Sequence, residues 1–426
     1  MANKRTILFL TQVFPPDPAS VGQHMADAAQ EVASRGYRVV VVTARRGYED
    51  PSARYPAREV LGGVEIIRVP LASFGKGSIA RRIVGAAGFL AQAFWRGLWI
   101  GDLKGIVFTT SPPLAGLAAL GLGWVRRAPL VFWVMDVNPD QFVVLHPDQA
   151  RSFKVWALAA LNRRALKAPA VVVALDPFMA ERLRARAPTM RRLEIMPPWP
   201  HEEHLAPVPR AENPFRAAHG LGGRLVVMYS GNHSPVNPLD TLLQAAGRFT
   251  DDPRIAFLFV GGGAGKAAVE ELIRARRPSN ILSLPYQPLE GLGQSLSAAD
   301  VHVVTMGDHF VGIVHPCKIY GAMAVGRPIL YFGPRPSHIS ELVEREGIGW
   351  CMNHGDVDGT EALLKTLLQT DPRELEAMGQ RAREAIQRGL CKEILCRRFA
   401  DVVQEACGGD KESMADGRKG RRTRDV

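Results

Sequence analysis

Short apolar runs alternate with stretches whose apolar residues recur at helical spacing along nearly all of this 426-residue chain. That alternation is the pattern of βαβ units joined into parallel sheets. In the first half the runs predict strands at 6–10, 39–43, 64–69, 105–109, 130–133, 171–174 and 193–196, with helices opening near Gln23, Ile79, Leu114, Phe153 and Pro177. In the second half they predict strands at 225–230, 255–260, 281–284, 301–305 and 328–331, a second Rossmann-like set. Between the sets, MPPWPHEEHLAPVPR (196–210) holds five prolines and few periodic apolar residues, and reads as a linker. Helical patterns at 374–387 and 393–406 close the chain, the second placed to cross back onto the first domain, and the tail after it is expected to be disordered. The expected division is a first domain 1–200, a linker 201–210, a second domain 211–390, a closing helix 391–407 and a tail 408–426.

Composition narrows the class. At 46% hydrophobic residues the chain fits a globular protein with two cores, and its five cysteines form no CxxC pair and are odd in number. Neither a disulfide framework nor a zinc cluster is expected, and a reducing cytoplasm is the expected compartment. The opening MANKRTILFL is basic, but its apolar run is too short for the core of a signal peptide. Charge is uneven: residues 1–200 hold 26 Lys and Arg against 14 Asp and Glu, the remainder 27 against 28. A basic first half suits an anionic membrane surface, a phosphorylated substrate or nucleic acid, although no recognisable nucleic-acid-binding motif is present. Segment 83–100, IVGAAGFLAQAFWRGLWI, is near the lower length limit for spanning a bilayer, but Arg96 lies within it, Arg81 and Arg82 precede it, and Trp95 and Trp99 sit near its end. An interfacial or half-buried helix fits these flanks better than a span.

Candidate chemistry gathers at the ends of the second set of strands, where open α/β sheets bind ligands. These ends read Ser230-Gly231-Asn232-His233, Gly261-Gly262-Gly263, Tyr286-Gln287 and Thr305-Met306-Gly307-Asp308. Glycines admit a phosphate or sugar to the backbone, Asn232 and His233 offer hydrogen bonds, and Tyr286 and Gln287 suit the side of a nucleobase. Each alone also reads as an ordinary turn. Residues 310–330, FVGIVHPCKIYGAMAVGRPIL, form a loop, a helix start and a strand. Amides around Gly312, Ile313 and Val314, with those of the following helix, are expected to face an anionic diphosphate, and Lys318 to add a positive charge. A plain helix-turn-strand connector explains the same stretch. VGGGAGKAA (260–268) is not a P-loop, since Val260 and Ala267 replace its required Gly and Ser/Thr. In the first half, Gly22 and His24 are placed to face the interdomain cleft, and Asp136, after the strand at 130–133, is either a cap or a carboxylate that orients or deprotonates an acceptor hydroxyl. His146, His201 and His204 read as surface or linker residues, and no metal-ligand spacing appears.

Taken together, the FPPD loop, TSPP, Asp136-Val-Asn-Pro, YSGN and PCKIYGAMAVGRPI resemble family 4 of the GT-B glycosyltransferases, nearest the branch of fucosamine transferases of O-antigen and capsule assembly. The resemblance covers about residues 5–405 and implies two Rossmann-like domains facing across a cleft. It also implies sugar transfer from a nucleotide donor, with retention, to an acceptor that is often a lipid-linked saccharide at the cytoplasmic membrane face, with no cofactor or metal. Two departures stand out: where the family carries paired glutamates this chain has Ile313 and Gly321, and where it carries an Arg and a Lys it has Asn232 and Asn237. The fucosamine-type branch has likewise lost the basic pair. A nucleotide-sugar epimerase of the same fold, or a catalytically inactive donor-binding relative, are the alternative expectations.

Overall fold

The structure, a computed structural model, describes residues 5–17, 19–47, 52–72, 79–112, 114–201, 205–250 and 252–408, with the side chains of 79–83 excluded. Expectations for His204, for the side chains of Arg81 and Arg82, and for the tail beyond Gly408 lie outside the described residues. The chain divides into two compact units: Met1–Pro197 with Leu395–Val426, and Pro198–Ile394.

The first unit runs β1 (Thr6–Leu10), α1 (Ser20–Ser34), β2 (Arg38–Ala44), β3 (Arg58–Leu61), β4 (Val64–Val69), α2 (Ile79–Leu98), β5 (Leu103–Thr109), α3 (Ala115–Arg126), β6 (Leu130–Trp133), α4 (Asp140–Leu145), α5 (Phe153–Lys167), β7 (Val171–Ala174), α6 (Pro177–Arg186) and β8 (Leu193–Ile195). Among the described residues these strands form one sheet in the order β3-β4-β2-β1-β5-β6-β7-β8, parallel except for β3. Every residue of β1, β6 and β7 is buried, which is why these strands read as unbroken apolar runs: helices cover both faces of a parallel sheet. Strand β3 is absent from the sequence reading because its REVL segment is mostly exposed and carries only two apolar residues. It pairs antiparallel with β4 across Gly62-Gly63, whose φ of +57° and +79° make the positive-φ hairpin turn that glycine favours.

Helix α2 is half-buried, as its flanking residues imply. Phe89 and Ala93 are in the core, whereas Val84 and Trp95, and Trp99 just beyond the helix, are exposed. No helix among the described residues is long and apolar enough to cross a membrane.

The second unit runs α7 (Pro214–Ala218), β9 (Leu225–Ser230), α8 (Asp240–Ala246), β10 (Ile255–Val260), α9 (Lys266–Arg276), β11 (Ile281–Leu284), α10 (Leu292–Ser297), β12 (Val301–Thr305), α11 (Lys318–Ala324), β13 (Ile329–Phe332), α12 (His338–Glu346), β14 (Gly349–Met352), α13 (Val357–Leu367) and α14 (Pro372–Ala385). Its sheet is parallel, ordered β11-β10-β9-β12-β13-β14. Alternation along β9 sends Leu225, Val227 and Tyr229 to one core, with Phe257, Phe259 and Leu330, and Val226 and Met228 to the other, with Leu258 and Ala299. Strand β14 is a half-buried edge of four residues, too short and too mixed to stand out in the sequence. The described end of the proline-rich segment is pinned to this unit: Leu205 packs with Leu296 and Val325, and the Val208 amide donates to Ser297 Oγ (3.0 Å).

The chain returns to the first unit through α15 (Lys392–Ala406). Phe399 is fully buried with its ring 4.3 Å from that of Trp133, and Arg35 pairs with Asp401 at 2.6 Å. The helix thus fills a gap in the first core. Replacing Phe399 with Ala is expected to destabilise the first unit by about 3 kcal/mol, seen as a lower urea midpoint monitored through tryptophan fluorescence.

Candidate active site

In the second unit, connectivity runs outward from β9 through β10 to β11 on one side and from β12 through β13 to β14 on the other. The loops after β9 and β12 therefore leave the sheet at the switch point, where a crevice forms in open α/β folds. The two loops are tied together: the Gly307 amide donates to the Val236 carbonyl (2.9 Å) and Thr305 Oγ1 to that of Pro238 (2.7 Å).

The loops after β9 and β10 interlock through their backbones. Gly231 N–H donates to Val260 O (2.9 Å), His233 N–H to Gly262 O (2.7 Å) and Gly265 N–H to His233 O (2.8 Å). Gly231 and Gly261 have φ of +132° and +124°, and a methyl group on Gly261 would stand 2.1 Å from the Gly231 carbonyl oxygen. Only glycine permits that approach. His233 is wholly buried here, its ring edge-on to Tyr229 at 4.8 Å and Nδ1 3.1 Å from the Gly231 carbonyl, while Nε2 has no partner among the described residues. Burial lowers its pKa, and Lys318 and Lys266 reinforce the effect, so the imidazole is neutral.

Lys318, the first residue of α11, completes this junction. Its ammonium donates to the Tyr229 hydroxyl and to the Asn232 carbonyl (3.2 Å), and lies 4.3 Å from the Tyr229 ring centroid. Burial, with no carboxylate beside it among the described residues, lowers its pKa to about 7, and burial likewise raises that of Tyr229. The structure therefore brings Gly231, Asn232, His233, Gly261 and Lys318 together. Tyr286 is half-exposed, with its ring edge where a methyl on Gly262 would meet it at 3.0 Å, and the half-buried Gln287 side chain donates back to Pro285 O (2.9 Å). Lys266, from the rejected P-loop stretch, instead caps the carbonyls of Gly261 and Leu284.

One sequence expectation is corrected at the lip. The Ile313 and Val314 amides both donate to the Phe310 carbonyl (3.0 and 3.3 Å), and those of Ile319 and Tyr320 to Pro316 and Cys317 (3.4 and 3.1 Å). These donors are used within a tight turn, in which Gly312 has φ +69°, and do not face outward. Residues the sequence reading passed over support this turn from behind. Tyr320 Oη lies 2.8 Å from His315 Nε2 and 3.1 Å from His338 Nε2, which links the lip to α12. The five-residue spacing of His315 and Tyr320 was a local signal, whereas His338 lies beyond a whole strand.

In the first unit, Asp136 follows β6 with its amide 3.4 Å from Thr110 Oγ1. It caps no helix, and its carboxylate has no cation or hydrogen-bond donor among the described residues, so burial raises its pKa to about 6. Four residues on, buried Asp140 is paired with Arg182 (3.0 Å) and Arg186 (2.5 Å). His24 is buried, with Nδ1 2.8 Å from the Ser20 carbonyl and its ring edge-on to Trp133. Gly22 serves packing: a methyl there would stand 3.0 Å from the Phe14 nitrogen.

Residues 20–199 match the Glycosyl transferase 4-like domain, and residues 212–385 match Glycosyl transferases group 1. The chain is 25% identical over 410 residues to a putative colanic acid biosynthesis glycosyl transferase, WcaI, of Escherichia coli (strain K12), covering 92% of this chain and 98% of that one. It is 25% identical over 286 residues to the probable glycosyltransferase WbjE of Pseudomonas aeruginosa, covering 67% and 69%. The chain belongs to the family 4-like glycosyltransferases of GT-B fold. Solved structures agree on the fold: sucrose-phosphate synthase from Thermosynechococcus elongatus superposes with a TM-score of 0.75 at 17% identity over 96% of this chain and all of that one. Anabaena HepE in complex with UDP-glucose gives 0.69 at 14% identity over 94% and 99%.

In this glycosyltransferase the places of the family's paired glutamates hold a buried Ile313 and, on α11, Gly321. In the places of the basic pair, Asn232 gives its carbonyl to Lys318 and Tyr229, and Asn237 Nδ2 donates to Ser234 Oγ (3.1 Å). Lys318 and Lys266 are accordingly the cations at the junction, Lys266 committed to the carbonyls of Gly261 and Leu284. Asp136 yields a test that needs no substrate. Because its folded-state pKa is raised, its ionisation costs stability as pH climbs from the ordinary value of 3.8 through about 6. Asp136→Asn is expected to raise stability at pH 7 by on the order of 1 kcal/mol, measured by thermal melting, whereas loss of a structural cap would lower it.

Proposed function

We propose that this enzyme transfers a sugar, with retention, from a nucleoside-diphosphate sugar held by the second unit to a lipid-linked saccharide held by the first, in cell-surface polysaccharide assembly at the cytoplasmic membrane face. The observation that carries the donor half is Lys318: a half-buried ammonium with no carboxylate partner among the described residues, set at the switch point among backbone turns that only glycine can make. The diphosphate gains charge as the glycosidic bond breaks. A cation already positioned there stabilises that charge more than the ground state. Neutral His233, its Nδ1 hydrogen donated to the Gly231 carbonyl, is proposed to hold the shape of the turn at the donor site, Tyr286 and Gln287 flank the base, and Gly312 lets the lip approach.

Asp136 is the residue proposed for the acceptor, orienting its hydroxyl or taking its proton as that hydroxyl attacks the front face of the donor. A carboxylate with a pKa near 6 remains ionised at neutral pH yet is basic enough for that task. Gly22 and His24 are proposed at the edge of the same subsite. WcaI, matched over nearly its whole length, is named for colanic acid biosynthesis, which supports a polysaccharide product, and the basic first half supports an acceptor at an anionic surface. HepE was solved with UDP-glucose, which makes UDP the first ligand to try.

Calorimetric titration with UDP, GDP and dTDP tests the donor site. One of them is expected to bind, and Lys318→Ala to weaken it by about 1.5–3 kcal/mol, the range for a charge-assisted hydrogen bond. Wild-type affinity in that variant would remove Lys318 from the donor site. The pH dependence carries a sign. Diphosphate binds the protonated lysine, so affinity is insensitive to this group below its free pKa of about 7 and falls as pH rises above it. The slope approaches tenfold per pH unit and is absent in Lys318→Ala. For turnover, Asp136→Asn is expected to lower kcat by about 100-fold or more with little change in donor affinity.

A further inference from the structure

The C-terminal ends of α2 and α3 carry three tryptophans facing solvent: Trp95, Trp99 and Trp124, exposed by 61, 76 and 83%. The two helix ends form one surface. Arg126 donates to the carbonyls of Gly97, Leu98 and Ile100, and a methyl on Gly97 would strike Leu122 at 2.5 Å. Trp95 and Trp99 meet edge to face at 6.1 Å, and Val125 is half-exposed next to Trp124. Large indole surfaces left in water have no stabilising role in the fold.

The charges around these rings are sorted. Each nearby carboxylate is neutralised within the protein: Glu59 by Arg68 (2.6 Å), Glu65 by Arg38 (2.7 Å) and Asp102 by Lys104 (2.7 Å). Arg58, Arg96 and Arg127 are exposed and have no carboxylate partner among the described residues. Arg127 ends α3 in the left-handed region (φ +51°), a conformation in which glycine would be easier. Beside the tryptophans lies a groove of about 510 Å³, open to solvent and lined by Arg58, Val60, Ile66, Trp95, Arg96 and Trp99. Apolar rings with a polar edge, interleaved with unpaired guanidinium groups, match the boundary between acyl chains and anionic phosphates.

We infer that this face, formed by the ends of α2 and α3, the edge strand β3 and its neighbour β4, docks the enzyme onto a bilayer containing anionic phospholipid, with Trp95, Trp99 and Trp124 entering the interface and Arg58, Arg96 and Arg127 meeting phosphates. The inference rests on the reading that the acceptor is membrane-borne, and it names the surface that delivers the enzyme to it.

The test is co-sedimentation of the full chain with vesicles of phosphatidylcholine alone and of phosphatidylcholine mixed with phosphatidylglycerol. Binding to the mixed vesicles that weakens with salt is expected. It should fall about tenfold or more in a Trp95→Ala, Trp99→Ala, Trp124→Ala variant and in an Arg58→Glu, Arg96→Glu, Arg127→Glu variant, both with wild-type affinity for the nucleoside diphosphate. Indifference to phosphatidylglycerol, or variants that sediment like wild type, would overturn the inference. So would a concentration-dependent dimer that the tryptophan variant abolishes without any vesicle binding, which would assign the face to a second copy of the chain. Vesicle binding by a protein that takes up no nucleoside diphosphate would uphold the docking surface and count against the donor assignment, so the two claims fail separately.

Discussion

A half-buried ammonium group without a carboxylate partner among the described residues is the feature on which the turns at the ends of β9 and β10 converge. Lys318 rests on the Tyr229 hydroxyl and the Asn232 carbonyl, dipoles that satisfy its hydrogen bonds but cannot neutralise it. Desolvation is therefore only partly offset, and the pKa falls to about 7. Holding it there requires β9 and β10 to end in turns close enough for one glycine carbonyl to occupy the space of another residue's Cβ. An arriving diphosphate would supply the missing charge. Binding and electrostatic relief are then the same event, in a site already organised before the ligand arrives.

The first unit shows the same imbalance with the opposite sign. Asp136 is a desolvated carboxylate with no cation, whereas Asp140, four residues away, is held by two arginines, and Asp300 in the second unit by Arg210 and Arg216. Asp136 and Lys318, which have no ion pair among the described residues, follow a strand end or begin the helix after one, in the places where open α/β sheets present their chemistry.

Most of the architecture was legible in the sequence because both sheets are covered on two faces, so that buried strands such as LVVMYS and IAFLFV appear as continuous apolar runs. Edge strands β3 and β14 were not legible, since their exposure removes that signal. At the site, residue types at strand ends were readable, but hydrogen-bond direction was not. The sequence marks Ile313 and Val314 as amides in a glycine-containing loop, and only the fold shows them turned inward to Phe310. Tyr229 reads as one more core residue of β9, and its partnership with Lys318 depends on a contact between residues 89 positions apart. The exposed indole of α3 has no local signature either, because Trp124 continues an apolar helix pattern whose buried face is set by β5 and β6.

The central claim is that Lys318, where it stands beside Tyr229, holds the donor diphosphate. A crystal structure of the enzyme with the nucleoside diphosphate it binds most tightly tests this directly. The account requires the diphosphate at the switch-point end of β9, with a phosphate oxygen within hydrogen-bond distance of the Lys318 ammonium. A diphosphate bound elsewhere, out of reach of Lys318, would contradict it.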